Sequence, residues 1–233
     1  MAPSPPRRAR AFTLVELLVV LAIIAVVVAL VATAAGRVRA SAMRARCITS
    51  MRSVGTFVSN HATTHEGRLP RSQHSAVANG EPPWILEFYA SEFGAPIPPS
   101  SDPRWNEFVR ARLRCPFDER DRDASKQRYS SYGLNVYFEL SPAETGGPVY
   151  RTLSRVRLPG RTVLAGELDE GSLADHLMAH FWTQYGTPPE VAPDRHGATQ
   201  GVLFADGHVA DVPFAQTFQD NGSLDLWNPA TAR

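Results

Sequence analysis

One carboxylate, Glu16, sits near the start of a run from Phe12 to Ala35 that is otherwise apolar or small. Crossing a bilayer core as a helix takes about 20 apolar residues, so the run is long enough to span. An ionised side chain within such a segment is costly and reads as functional by default. The chemistry open to Glu16 is charge pairing in apolar surroundings. Further along, Asp194, His196, Asp206 and His208 carry the donor types that zinc and calcium take. Asp206-Gly207 already has a simpler reading as the preferred pair of a tight hairpin turn, and His196 is suited to hydrogen-bonding backbone groups beside that hairpin. His196, Asp206 and His208 are therefore candidate ligands only, and no metal is assigned. Asp220, Asn221 and Asp225 bear oxygens but lack the spacing of a calcium loop. His176 and His180 stand four apart, as on one helix face of zinc proteases, yet Leu177 occupies the place of that motif's catalytic glutamate. No G-x-S-x-G elbow, P-loop or dinucleotide fingerprint is present, and no enzymatic activity is expected.

The elements that must position these residues follow from proline and periodicity. No proline lies between Arg7 and Leu69, whereas the chain from Pro70 onward is rich in it. Because an interior proline breaks or kinks a helix, the first part can form one long helix and the second cannot. Beyond the apolar run, Val38, Ala42, Ala45, Ile48, Met51, Val54, Val58 and Ala62 recur every three or four residues, the stripe of an amphipathic helix. A helix is expected from Phe12 to about His65, with Gly36 and Gly55 as its weakest points. Trp84 to Phe93 and Trp105 to Leu113 read as short helices around the proline-rich loop Gly94 to Pro103. Tyr129 to Leu140 and Arg161 to Glu167 read as strands. Gly201 to Ala205 and His208 to Val212, joined by Asp206-Gly207, read as a hairpin with a two-residue type I′ turn. The expected class is α+β. The net charge of +1 over 233 residues gives no reason to expect nucleic acid as a partner.

The segment Ala11-Phe12-Thr13-Leu14-Val15-Glu16-Leu17-Leu18-Val19-Val20, preceded by Arg7, Arg8 and Arg10, resembles the class III signal of type IV prepilins and type II secretion pseudopilins. The resemblance implies cleavage between Ala11 and Phe12 by a prepilin peptidase and N-methylation of the new Phe12 amine. It also implies that Glu16 meets the methylated amine of a neighbouring Phe12 during filament assembly. Ala11 departs from the pattern, which usually has Gly before the cut. His196, nine residues and then Asp206-Gly207 resembles the ending of a pilin-like family abundant in planctomycete-type bacteria, in which a prepilin start is paired with His-x9-Asp-Gly. Cys115-Pro116-Phe117-Asp118 followed by Ser131-Tyr132-Gly133-Leu134-Asn135, and Leu158-Pro159 before Thr162-Val163-Leu164, are similar to that family's middle.

The resemblance implies a pilin-like α+β fold, a long N-terminal helix packed on a small antiparallel sheet domain. It divides the chain into a basic leader (1–11), a transmembrane helix (12–35), an amphipathic extension (36–66) and an extracytoplasmic β-rich domain (67–233). Its implied partners are the prepilin peptidase, other pilin or pseudopilin subunits, an inner-membrane assembly platform and the bilayer. Basic residues flank both ends of the span, Arg7, Arg8 and Arg10 before it and Arg37, Arg39, Arg44 and Arg46 after. The charge rule therefore sets no orientation, and a cytoplasmic N-terminus with the globular part in the periplasm or an envelope filament rests on the resemblance. Such a compartment permits a disulfide, for which Cys47 and Cys115 are the candidates. No cofactor is expected; calcium is the one to consider, because some secretion pseudopilins carry it in C-terminal loops. Three other readings compete: an ordinary signal peptide cut after Ala32-Thr33-Ala34, an unprocessed anchor, and an envelope binding protein that does not polymerise.

Overall fold

The computed structural model describes residues 12–94, 103–118, 130–145, 147–186 and 189–232. It divides into two compact units, Met1–Ala42 and Met43–Arg233. Helix α1, Leu14–Thr64, runs through both. The described residues of the first unit are exposed throughout. Among the described residues α1 alone is long and apolar enough to cross a membrane, with a window of mean hydropathy 3.3.

Within the second unit α1 carries its buried stripe on Cys47, Ser50, Met51, Val54, Gly55, Phe57, Val58 and Ala62. Ala42 and Ala45, expected on the stripe, are exposed and Ile48 is half-buried. The buried face starts at Cys47 and includes Phe57, whose ring stacks on Phe88 at 4.8 Å. Gly55 is no weak point in this setting. A Cβ there would lie 2.8 Å from Leu203 Cδ1, so its bareness lets the helix approach the sheet. After α1 ends, Glu66 and Gly67 adopt positive φ and turn the chain toward α2 (Trp84–Phe93), whose C-cap Gly94 is left-handed as a terminating glycine commonly is. The expected helix Trp105–Leu113 is helical throughout, as α3 (Pro103–Phe108) passing into a π turn at Val109–Leu113. Of the expected loop between α2 and α3, residues 95–102 lie outside the described residues.

The sheet has the strand order β3-β1-β2-β4-β5, with β1 Tyr132–Asn135, β2 Val163–Glu167, β3 His176–Leu177, β4 Gln200–Phe204 and β5 Val209–Val212. It is mixed, not antiparallel: β3 pairs parallel to β1, while the other neighbours are antiparallel. Gly133 makes that edge pairing feasible, since a Cβ there would stand 3.0 Å from the His176 carbonyl carbon. Strand β1 is shorter than the expected 129–140: Tyr129 lies outside the described residues, and a 3-10 turn begins at Val136. Every residue of β1, β2 and β4 is buried, because both faces are covered. One face meets α1, α2 and α3 through Met51, Trp84, Phe108, Leu134 and Leu203. The other meets α5 (Ala179–Gln184) and the strands β6 (Phe218–Gln219) and β7 (Leu224–Asp225) through Val202, Trp182, Phe218 and Trp227. Strands covered on both sides read as continuous apolar runs. One further turn of helix, α4, spans Pro142–Thr145. The architecture is α+β and pilin-like.

The β4–β5 hairpin does not use a type I′ turn, which needs positive φ at both central residues. Gly207 has φ 90°, while Asp206 is not among the positive-φ residues. Gly207 N–H donates to Phe204 O and Phe204 N–H to His208 O, both at 2.9 Å. The loop is thus Ala205-Asp206-Gly207, the three-residue form closed by a left-handed glycine bulge. Its tip is tied down by Ala205 N–H donating to Thr162 O at 2.9 Å.

Candidate functional site

At the N-terminal end Thr13 and Glu16 satisfy each other. Thr13 N–H and its hydroxyl both donate to Glu16 Oε2 at 2.8 Å, and Glu16 N–H donates to Thr13 Oγ1 at 3.2 Å. This is the reciprocal capping box of a Thr-x-x-Glu sequence, a signal legible in the chain beside the apolar run. Glu16 therefore starts the helix as well as carrying charge. Phe12 and the large apolar side chains from Leu14 to Val31 are exposed. Ala11, on the other side of the expected cut, lies outside the described residues, as does the rest of the leader.

The sequence candidates in the second unit do not form one cluster. Asp206 and His208 pair with each other at the exposed hairpin tip, Oδ1 to Nδ1 at 2.6 Å. His196 lies instead toward the open end of the hairpin, where Asp211 pairs across from Gly201. Its Nδ1 is 3.2 Å from Asp211 Oδ1 and its Nε2 is 3.3 Å from Glu167 Oε1. His176 and His180 fall on a strand and a helix respectively, so no shared helix face exists. His176 Nδ1 is held by Asp175 Oδ1 at 2.9 Å. Asp225 caps the chain after β7, its Oδ1 accepting from Trp227 N–H at 2.9 Å and Asn228 N–H at 3.1 Å.

Around His196 four elements converge. Cys47 on α1 and Cys115 beyond the π turn are joined in a disulfide, with Cα atoms 4.6 Å apart, and His196 Nε2 stands 3.4 Å from Cys115 Sγ. Glu167 closes the apolar strand β2 with a carboxylate whose Oε2 accepts from Gly201 N–H at 2.9 Å. The side chains of His196 and Glu167 have no solvent exposure. Arg44 reaches over from α1, its Nε 3.1 Å from Asp211 Oδ2 and its Nη2 donating to His196 O. Burial works against the imidazolium, but the hydrogen bond and charge of Glu167, then those of Asp211, outweigh it and hold His196 above its ordinary pKa. A second buried pair lies alongside: Arg195 Nη1 is 3.0 Å from Asp118 Oδ2, which accepts from Ser131 Oγ at 2.6 Å. Tyr132 Oη donates to Cys47 O at 3.1 Å; burial first, then the charge of Glu167, pushes this phenol well above its ordinary value. Asn135 Nδ2 donates to Val163 O at 2.8 Å and Trp227 O at 2.6 Å, joining β1, β2 and the C-terminal segment.

Glu167, Asp211 and Arg44 were not singled out by sequence reasoning. An isolated acid or arginine carries no spacing signal, and the three are assembled only by strand register and the placement of α1.

The architecture and the N-terminal segment together define an α+β chain whose N-terminal helix carries a prepilin-like motif and is long and apolar enough to cross a membrane. Residues 6–32 match a family model described as the prokaryotic N-terminal methylation motif, a segment that includes Ala11, Phe12 and Glu16. No curated protein and no solved structure matches the chain.

Proposed function

We propose that this protein is a structural subunit of a type IV pilus or type II secretion pseudopilus, cut between Ala11 and Phe12 and N-methylated on Phe12. The observation that carries the reading is the methylation-motif match at residues 6–32, lying on a helix start whose apolar side chains are unburied. Contiguous exposed apolar surface marks a membrane or protein contact, and in this reading it serves both in turn, lipid before assembly and copies of the same helix after it. Glu16 sets axial register by pairing with the Phe12 amine of a neighbour. A charge pair is favoured where apolar surroundings strengthen electrostatics. Prepilin peptidase, neighbouring subunits and an inner-membrane platform are the partners, and the second unit decorates the filament.

The capping box supplies a way to separate the two roles of Glu16. Glu16→Gln keeps a side chain that can complete a capping box but removes the charge, whereas Glu16→Ala removes both. Both variants are expected to insert in the membrane, and both to be lost from sheared filament fractions while the wild type is recovered there. Incorporation of Glu16→Gln at the wild-type level would overturn the register role. A membrane-anchored binding protein would show no filament fraction for any of the three.

A further inference from the structure

We propose that the Cys47–Cys115 pair is a redox-gated metal site: once a dithiol or phosphine opens the disulfide, the two thiolates, His196 Nε2 and Glu167 Oε1 bind one Zn²⁺. Each of these residues offers a ligand atom, all four atoms lie within 4.8 Å of one another, and all four residues are buried. Tetrahedral zinc with bonds of about 2.0–2.3 Å has ligand-to-ligand edges of about 3.3–3.8 Å. Two edges already have that length: Cys115 Sγ to His196 Nε2 is 3.4 Å and His196 Nε2 to Glu167 Oε1 is 3.3 Å. The edge that must change is the S–S bond, which reduction opens.

The surroundings are those of a metal ligand set. Glu167 is fully buried, and while its Oε2 is fixed by Gly201 N–H, its Oε1 faces the cluster 3.3 Å from His196 Nε2. Asp211 is an acceptor, so the hydrogen between it and His196 rides on Nδ1, which leaves Nε2 for the metal. A carboxylate on the far nitrogen of a ligating histidine is the usual orienting partner, and Arg44 holds that carboxylate in turn. A dithiol passes two electrons and two protons to the cysteine sulfurs and leaves as its own disulfide; Zn²⁺ then displaces the two thiol protons and any proton on Nε2.

Full-length protein in detergent micelles, reduced with a phosphine under argon and titrated with Co²⁺ as a spectroscopic probe, tests the site. The expected result is one Co²⁺ per chain, with thiolate-to-cobalt charge transfer and the visible bands of tetrahedral cobalt, none of which the oxidised protein shows; Zn²⁺ should displace it. His196→Gln keeps both thiols and should lose the tetrahedral bands, and Asp211→Asn should weaken binding about 10- to 100-fold. Cys47→Ser, which cannot form the disulfide, should bind Co²⁺ through Cys115 without reductant. The proposal is overturned if reduced protein takes up no Co²⁺, if reduction abolishes its near-ultraviolet circular dichroism, or if His196→Gln gives the wild-type spectrum.

Discussion

Asp225 shows how one carboxylate can work for the local structure and against it. Burial raises its pKa above the ordinary value, and the N–H groups of Asn228 and Trp227 only partly offset that. The folded chain therefore holds this proton to higher pH than the unfolded chain does. In the window from about pH 3.9, the unfolded value, up through the raised folded value, the native state binds more protons and stability falls as pH rises. Asp225→Asn keeps an acceptor oxygen for both N–H groups and removes the charge. Its melting temperature is expected to exceed that of the wild type at neutral pH, with the difference vanishing toward pH 3; equal or lower stability at neutral pH would contradict the assignment. At the same scale, Glu16 was legible in the sequence because a charge stands out in an apolar run, and Thr13-x-x-Glu16 carries the capping signal in plain view. The Glu167 and Asp211 contacts to His196 were not, because residues 15 and 29 apart in sequence meet only through strand pairing.

Close approach governs the elements. Gly166 in β2 faces Trp227, and a Cβ there would lie 2.5 Å from the ring's Cη2 and 3.4 Å from Leu177 Cδ1. Trp227 is fully buried, and its ring meets Trp182 at 5.1 Å, so it has no easy retreat. Gly166→Ala is expected to destabilise by roughly 1–3 kcal/mol, the cost of overpacking a filled core, despite alanine's lower conformational entropy in the unfolded chain. Urea unfolding of the two proteins side by side would measure it, and an unchanged midpoint would show that the tryptophan shifts freely. Periodicity made the buried part of α1 readable, and Gly94 marked the end of α2. Turn chemistry alone misread the hairpin, since Asp-Gly suits more than one loop and only backbone φ separates them. The i, i+4 spacing of His176 and His180, which would share a face on one helix, carries no information here because a strand ends between the two residues. The parallel edge of the sheet had no local signal: β3 is two residues long and exists because Gly133 leaves room beside it.

At the scale of the whole molecule, two compact units divide the chemistry. The first, Met1–Ala42, holds the methylation motif and the exposed apolar helix; the second, Met43–Arg233, holds a sheet covered on both faces and the buried His196 cluster. Their sequences differ in kind. The described apolar side chains of the first unit are exposed, which in the proposed reading leaves them for lipid and for other subunits, and that reading depends on composition and a short motif. The second is specified by tertiary packing, which is why its strand boundaries and polar contacts were the least legible. Processing before Phe12 belongs to the first unit. Mass spectrometry of the mature N-terminus, on protein isolated from membranes of a cell that carries a prepilin peptidase, tests it most directly. The expected chain begins at Phe12 with one added methyl group on its amine. A chain beginning at Ala35, or one that retains the leader through Ala11, would contradict it.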